Sequence, residues 1–313
     1  MGYKYRNVYK GIKKDDTMFK PYELLENVLI DIEHGLKENI NAYNIARKYG
    51  LSETHLRRLF SFSFNQTISG YIRSRTLTAS LIDLLETDSN VLDIAIDYGF
   101  GYEQTYIRSF KREFGTTPGN LRKTGQVVKI KPSLHLFDKN KLGDSAFFGP
   151  DFVMFPQFHI IGKSYKIPFE KSLEMAPIVG RQFWQNERTH IKNAVNPNVY
   201  IGFTRNINLE KSHSEYIPSV QVKNLKNIAE GYTGHTFETS MCARFRYIGQ
   251  HHYYDINREV AEKMYNAIFQ FTQNVKAEYV LSNDKVYFER IDTGLYDGNY
   301  CQMEWFTPIT KKK

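Results

Sequence analysis

Residues 91–122, VLDIAIDYGFGYEQTYIRSFKREFGTTPGNLR, predict a helix, a tight turn and a second helix. Asn90 can cap the first helix, because an asparagine side chain accepts a hydrogen bond from the first turn of a helix. Gly99 stands where that helix ends, at a position that favours the left-handed backbone conformation. Two helices joined in this way, the second with a polar outer face, are typical of a protein that reads the major groove of DNA.

The second helix of this stretch has an aromatic inner face and a polar, basic outer face. Its apolar stripe recurs at every fourth residue and consists of Tyr106, Phe110 and Phe114. Its outer face carries Glu103, Gln104, Arg108, Lys111 and Arg112. Gln104, Arg108 and Lys111 share one side of the helix, and Gln and Arg form paired hydrogen bonds with base edges. The helix is predicted to read bases, the alternative being an ordinary amphipathic surface helix.

Residues 41–60, NAYNIARKYGLSETHLRRLF, repeat the same plan upstream. Ile45 and Ala46 lie in a short helix, Gly50 marks the turn, and Ser52 caps the next helix. In that next helix the spacing turns three apolar side chains inward, Leu56, Leu59 and Phe60. The outward side chains are Glu53, Thr54, Arg57 and Arg58. The chain is therefore predicted to contain two helix-turn-helix units.

Residues 68–85 connect the two units and predict one continuous helix. At about 1.5 Å per residue, a helix of this length spans roughly 27 Å. Such a connector can hold two reading helices near the ~34 Å repeat of the duplex. One chain can then enter two successive major grooves without forming a dimer.

Over residues 22–123 the chain resembles the AraC/XylS type of bacterial transcription regulator. The most specific segments are SGYIRSRTLTAS and IAIDYGFGYEQTYIRSFKREFGTTP. The resemblance implies an asymmetric DNA site bound by a monomer through the base-facing residues Thr54, Arg57, Arg58, Glu103, Gln104, Thr105 and Arg108. Lys111 joins this set because it shares the outer helix face. Thr54 and Glu103 replace the Trp and Gln of such relatives, so the target sequence is not carried over. Glu103 can accept a hydrogen bond from cytosine N4, or favour the positive helix N-terminus.

The second half of the chain predicts an α+β domain with an antiparallel sheet. Helical patterns cover residues 177–193 and 255–274. Strand patterns cover residues 152–168, 197–204, 237–249, 286–291 and 300–309. The predicted organisation is a DNA-binding domain over residues 20–123, a linker over 124–150 and a second domain over 151–310.

Residues 151–310 resemble the GyrI-like effector-binding domain. The resemblance is carried by Trp184, by the segment FETSMCARFRYIG, and by Glu304, Trp305, Pro308 and Ile309 near the end. It implies a duplicated βαββ fold with a cleft for a small apolar or cationic molecule. Glu304 is then the expected pocket carboxylate, and Trp184 and Tyr296 are the expected aromatic walls.

Alternation along the last strand places Met303 and Trp305 on one face and Glu304 on the other. If the helices pack on the Met303 side, Glu304 is expected to face the cleft. A carboxylate among aromatic rings attracts an organic cation. The alternative is that Trp184 and Trp305 are ordinary core residues.

Composition favours a globular protein of two or more domains with a polyanionic partner, because 313 residues carry a net charge of +8. Two cysteines are too few for a disulfide framework, and no apolar run approaches a membrane span or a leader, so a cytoplasmic location is expected. The pair His251 and His252 does not predict a metal site, because neighbours on a strand point to opposite faces. The sequence implies no cofactor, no metal and no catalytic residues.

The combined prediction is a ligand-responsive transcription regulator that binds promoter DNA and a small-molecule effector. The family resemblance favours activation, with RNA polymerase as a further partner. One alternative is a DNA-tethered hydrolase in which Glu304 acts as base with a tyrosine partner. Another is an architectural DNA binder whose Arg57, Arg58 and Arg108 give only salt-sensitive affinity.

Overall fold

The computed structural model describes residues 20–136, 140–208, 212–272, 279–282, 286–296 and 298–311. The chain divides into two compact units: the described residues up to 60 and residues 66–135 form the first, and residues 61–65 are grouped with those from 136 onward in the second. Helices build the first unit, and an antiparallel sheet with helices builds the second. The predicted order of a helical domain followed by an α+β domain is confirmed. None of the helices in the described ranges has both the length and the apolar composition that a membrane span requires.

The first unit contains two helix-turn-helix pairs separated by a long helix. Its helices are α1 (Pro21–His34), α2 (Ala42–Lys48), α3 (Glu53–Phe64), α4 (Ile68–Glu86), α5 (Val91–Asp97), α6 (Glu103–Phe114) and α7 (Pro118–Thr124). The pairs are α2 with α3 and α5 with α6, and α4 is the predicted connector.

Caps and glycines define both turns as the sequence predicts. The Asn90 side chain accepts a hydrogen bond from the Asp93 amide at 2.7 Å, and Gly99 ends α5 with a φ of 74°. Ser52 accepts from the His55 amide at 3.2 Å, and Gly50 has a φ of 67°. Each turn therefore rests on local interactions within a few residues.

The second pair packs its aromatic stripe against the connector. Tyr106 and Phe110 are buried with leucines of α4, and Phe114 is partly buried against them. Phe100 lies in the angle between α5 and α6, with its ring 5.2 Å from that of Tyr106. The Tyr106 and Ser80 hydroxyls lie 2.9 Å apart, so the buried phenol has a polar partner.

The segment after α7 is more ordered than the predicted linker. Arg75 donates to the Lys131 carbonyl at 2.6 Å, and the Leu134 amide donates to the Tyr71 hydroxyl at 2.9 Å. Both side chains also donate to Glu33. These bonds hold the start of the predicted linker against the first unit.

The second unit also begins earlier than predicted. Strand β1 (Lys141–Leu142) and strand β2 (Ser145–Phe155) precede or span residue 151, where the second domain was expected to start. Both strands pair into the sheet, and pairing satisfies backbone groups that a free linker leaves to water. Residues 137–139 of the predicted linker lie outside the described residues.

The remaining strands of the second unit are β3 (Phe158–Gly162), β4 (Tyr165–Pro168), β5 (Val199–Asn208), β6 (His213–Val222), β7 (Thr233–Phe237), β8 (Ser240–Gly249), β9 (Tyr279–Leu281), β10 (Tyr287–Asp292) and β11 (Cys301–Lys311). Its helices are α8 (Ser172–Asn186) and α9 (Arg258–Thr272). In the described part of the chain the sheet order is β1-β2-β8-β11-β10-β5-β6-β3-β7, with β4 on β6 and β9 on β11.

Two βαββ halves make up this sheet. One half runs β3, α8, β5, β6, and the other runs β8, α9, β10, β11. In each half the first strand pairs with the third, and the third pairs with the second. Antiparallel pairing of β5 with β10 joins the halves into one sheet.

The sequence prediction misses some elements of this unit. The single predicted strand over 152–168 is three strands, β2 to β4, and β6 and β7 were not predicted. Helix α8 begins before Pro177, which lies inside it. Helix α9 is described to Thr272, and the predicted end at Asn274 lies outside the described residues.

Substitution of Gly99 by alanine tests the turn between α5 and α6. We expect Gly99→Ala to lower the free energy of unfolding by about 1 kcal/mol or more, because a side chain strains a positive φ. A Cβ at this position also meets the Asn39 side chain at 3.1 Å. Urea unfolding measures the loss. Gly101→Ala is the matched control, since a Cβ there meets open space; equal losses in the two variants contradict the assignment.

Candidate functional site

Helix α3 presents part of its predicted reading surface to solvent. Thr54 and Arg57 are exposed, and Arg58 is half-buried. The Arg57 guanidinium donates to Glu53 at 2.9 Å and to Ser69 at 2.8 Å. Exposed ion pairs of this kind contribute about 0–1 kcal/mol, so Arg57 can exchange Glu53 for another partner at little cost.

Helix α6 presents its predicted residues more openly. Gln104, Thr105, Arg108 and Lys111 are exposed, and Glu103 is half-exposed in the first turn. That position is compatible with favourable interaction between the Glu103 carboxylate and the positive end of the helix. Base contact by all these residues remains a prediction.

One groove of the first unit is bordered by both reading helices. Arg57 of α3 and Arg108 of α6 line it, together with Arg73 of the connector and Arg112. Arg73, Arg108 and Arg112 are exposed and form no ion pair within the described ranges. The two reading helices therefore share one positively charged side of the unit. Sequence reasoning did not select Arg73, although it lies in the specific connector segment.

The second unit contains a half-open cavity of about 130 Å³ between its helices and the sheet. Both βαββ halves contribute to its walls. The lining residues include Gly180, Arg181, Trp184, Tyr200, Tyr216, Tyr253, Tyr254, Tyr265, Tyr287, Glu289, Met303 and Trp305. Aromatic and apolar groups surround one carboxyl group, that of Glu289.

Glu289 lies on β10. Its side chain is half-buried: it borders the cavity, and protein surrounds it on its other sides. The Tyr216 hydroxyl donates to its Oε1 at 2.5 Å, and the Tyr200 and Tyr216 hydroxyls lie 2.6 Å apart. Burial raises the pKa of Glu289 to about 7, although the Tyr216 hydrogen bond opposes the shift. In the described part of the chain, no Lys or Arg pairs with Glu289.

Room for this carboxyl comes from Gly202 on the neighbouring strand. Gly202 is the cross-strand partner of Glu289 in the β5–β10 pairing. A Cβ on Gly202 would overlap both the Glu289 carboxyl and the Tyr216 hydroxyl. The absence of a side chain at residue 202 therefore lets these two groups meet.

Aromatic rings form the cavity walls. The Tyr287 and Trp305 rings stack with centroids 4.7 Å apart, and the Trp184 ring lies edge-on to Tyr200 at 5.9 Å. Ring faces carry partial negative charge and attract cations. The walls can therefore hold a flat apolar or cationic group near Glu289.

The structure corrects the predicted effector site at two residues. Trp184 lines the cavity as expected, but Glu304 does not: it lies on the opposite sheet face, with Arg290 at 2.9 Å and Arg244 at 3.5 Å. The helices do pack on the Met303 side, but the cavity lies between them and the sheet. Glu304 therefore points away from it.

Tyr296 is not among the cavity-lining residues either. Its hydroxyl donates to the Gly298 carbonyl at 2.9 Å, and its ring lies edge-on to His252. The carboxyl that sequence reasoning missed is Glu289. It lies opposite Trp305 in the β10–β11 pairing, so the pairing register was the signal that could have located it.

The sequence of the helical unit matches a known family model and known proteins. A family model described as a helix-turn-helix domain matches residues 45–124. The right origin-binding protein of Escherichia coli is 31% identical over 167 residues, covering 52% of this chain and 56% of that protein. The probable transcription factor PqrA of Proteus vulgaris is 38% identical over 120 residues, covering 36% of this chain and 95% of PqrA.

The chain thus spans about half the length of the right origin-binding protein. Among solved structures, SAV2435 bound to tetraphenylphosphonium is similar at 14% identity and a TM-score of 0.40, covering 52% of this chain and 94% of that one.

The Glu289 carboxyl predicts a component of stability that depends on pH. Its pKa rises from 4.5 in the unfolded chain to about 7 in the folded one, so only the folded state holds this proton between those values. Stability therefore falls as pH rises from about 4.5 to 7, by up to about 3 kcal/mol. We expect Glu289→Gln to remove this fall, as measured by urea unfolding at several pH values. Glu304→Gln leaves Glu289 in place and should retain the fall; an identical pH profile for Glu289→Gln and wild type contradicts the assignment.

Proposed function

Because the chain belongs to the AraC/XylS family of helix-turn-helix regulators, we propose that it is a sequence-specific transcription regulator controlled by a small molecule. This family is one of regulators, not of enzymes. The first unit binds promoter DNA, and the second unit binds the effector. The observation that carries the proposal is the groove bordered by both reading helices and lined by Arg57, Arg73, Arg108 and Arg112.

The geometry of the first unit supports two roles for its polar and basic residues: contact with bases and contact with the DNA backbone. Gln104, Arg108 and Arg57 project from reading helices, where side chains reach base edges. Arg73 projects from the connector between the two helices, where the DNA backbone passes from one major groove to the next. Base contacts select the sequence, and the Arg73 contact adds affinity for any duplex.

The cavity supports the second part of the proposal. Its aromatic walls and single carboxyl suit a small apolar or cationic effector. The hydrolase alternative placed its base at Glu304, which does not line the cavity and pairs with two arginines. Binding, rather than turnover, is the role that these residues support. Family resemblance favours activation through contact with RNA polymerase in the bacterial cytoplasm.

Selection of bound sequences from a random duplex library tests DNA recognition. The 313-residue chain at about 150 mM salt should enrich one asymmetric motif with two boxes about 10 base pairs apart. The spacing follows from two reading helices on one side of a single unit. Enrichment of no motif overturns sequence-specific regulation and leaves an architectural binder.

Alanine substitutions separate base reading from backbone contact. We expect Arg108→Ala and Arg57→Ala each to weaken binding to the selected site by about 1–3 kcal/mol and to relax preference at one base pair. Arg73→Ala should weaken binding to all duplexes alike and reduce the slope of log K against log salt by about 0.9. Fluorescence anisotropy over a salt series measures both effects. Equal losses for Arg108→Ala on selected and random DNA would exclude a base-reading role.

A further inference from the structure

We propose that the cavity of the second unit exchanges a proton for an organic cation, so that each planar aromatic monocation bound beside Glu289 releases one proton to solvent. The inference rests on the proposed effector site. It names the class of ligand and the carboxyl group whose protonation controls binding. The empty site is the neutral acid. The bound site is a carboxylate paired with the cation.

The first observation behind this exchange is the isolation of Glu289. Two other enclosed carboxylates of the described chain have arginine partners: Glu33 with Arg75 at 2.8 Å, and Glu215 with Arg205 at 2.9 Å. Among the described residues, the polar partner of Glu289 is the Tyr216 hydroxyl. An unpaired charge in such surroundings is strongly disfavoured, and protonation avoids it.

The second observation concerns the other titratable groups that face this carboxyl. They are Tyr200 of β5, Tyr216 of β6, Tyr287 of β10, Tyr253 and Tyr254 of the turn before α9, Tyr265 of α9, and Arg181 of α8. Tyrosine and arginine side chains ordinarily titrate well above pH 8. Burial raises the pKa of Tyr200 and Tyr216 further, and that of Tyr287 to about 12. Arg181 is exposed and donates to the Tyr254 carbonyl.

One histidine lies behind this wall. The His252 ring packs against Tyr253 and Tyr254 at 4.0 and 4.8 Å between centroids, and burial lowers its pKa. His252 does not line the cavity. His252 is an ionisable residue near the cavity besides Glu289, and its charge changes near neutral pH, so it needs its own control.

The aromatic walls determine the shape of the cation. A flat ring system can lie against the stacked pair of Tyr287 and Trp305, with its charge toward Glu289. The cation stabilises the carboxylate, so the acid loses its proton as the ligand enters. No covalent bond to carbon, nitrogen or sulfur forms or breaks; one O–H bond ionises, and the proton passes to solvent.

Calorimetric titration of the full chain with N-methylquinolinium tests the exchange. This probe carries a permanent charge, so any pH dependence belongs to the protein. As the pH is raised toward 7, we expect the association constant for N-methylquinolinium to rise about tenfold per pH unit. Above pH 7 it should level off. At pH 6, buffers of different ionisation enthalpy should report close to one proton released per cation. The neutral isostere 1-methylnaphthalene should bind with no proton release.

Three variants identify the residue that releases the proton. Glu289→Gln should abolish proton release and remove the preference for N-methylquinolinium over 1-methylnaphthalene. His252→Gln and Glu304→Gln should both keep the wild-type release. Release that disappears in His252→Gln but persists in Glu289→Gln overturns the inference.

Two outcomes separate this inference from the proposed effector site. If both probes bind with affinities that do not change between pH 5 and 8, the cavity is a ligand site and the proton exchange is wrong. If neither probe binds, the effector site for this ligand class and the exchange are both overturned, while DNA recognition by the first unit stands on its own test.

Discussion

The antiparallel pairing of β5 with β10 is the constraint on which the second unit depends. It joins two βαββ halves edge to edge, and it sets Gly202 opposite Glu289. Because residue 202 has no side chain, the carboxyl from one half can reach the Tyr216 hydroxyl from the other. The helices of both halves lie on this same side of the sheet. A cavity with walls from both halves, and a carboxyl at the joint between them, follows from this register.

The pleat of the sheet then gives neighbouring carboxylates opposite surroundings. Glu289 pairs across the strands with Trp305, and Glu304 pairs with Arg290, one position along. Successive residues point to opposite faces, so one acid lies among aromatic rings and the other among arginines. The second face stabilises charge by pairing, whereas the first face offers one hydroxyl. A shift of one residue in register would exchange these environments, which is why the strand pairing determines the chemistry of the cavity.

The helical unit could be predicted from the sequence because its determinants are local. Asn90, Gly99 and the stripe of Tyr106, Phe110 and Phe114 act within one or two dozen residues of each other, and helical spacing reveals them. The cavity depends instead on contacts such as Tyr216 with Glu289, 73 residues apart. Alternation along β11 correctly separated Met303 and Trp305 from Glu304, but one strand does not reveal which face borders a cavity. Strand β6 was missed because Pro218 interrupts a pattern that lacks clear alternation.

The hydrogen bond from Tyr216 to Glu289 is also a contact between the two βαββ halves that a bound ligand can change. A ligand shifts a conformational equilibrium only through different affinities for the two states. Tyr216 belongs to the first βαββ half and Glu289 to the second, so this bond spans their joint. A cation that ionises the carboxyl makes the hydrogen bond from Tyr216 charge-assisted and therefore stronger, whereas a neutral guest leaves the acid protonated. The charge of the guest, rather than its volume alone, therefore decides how strongly the two halves are held together, and the second unit can respond differently to two molecules of the same shape.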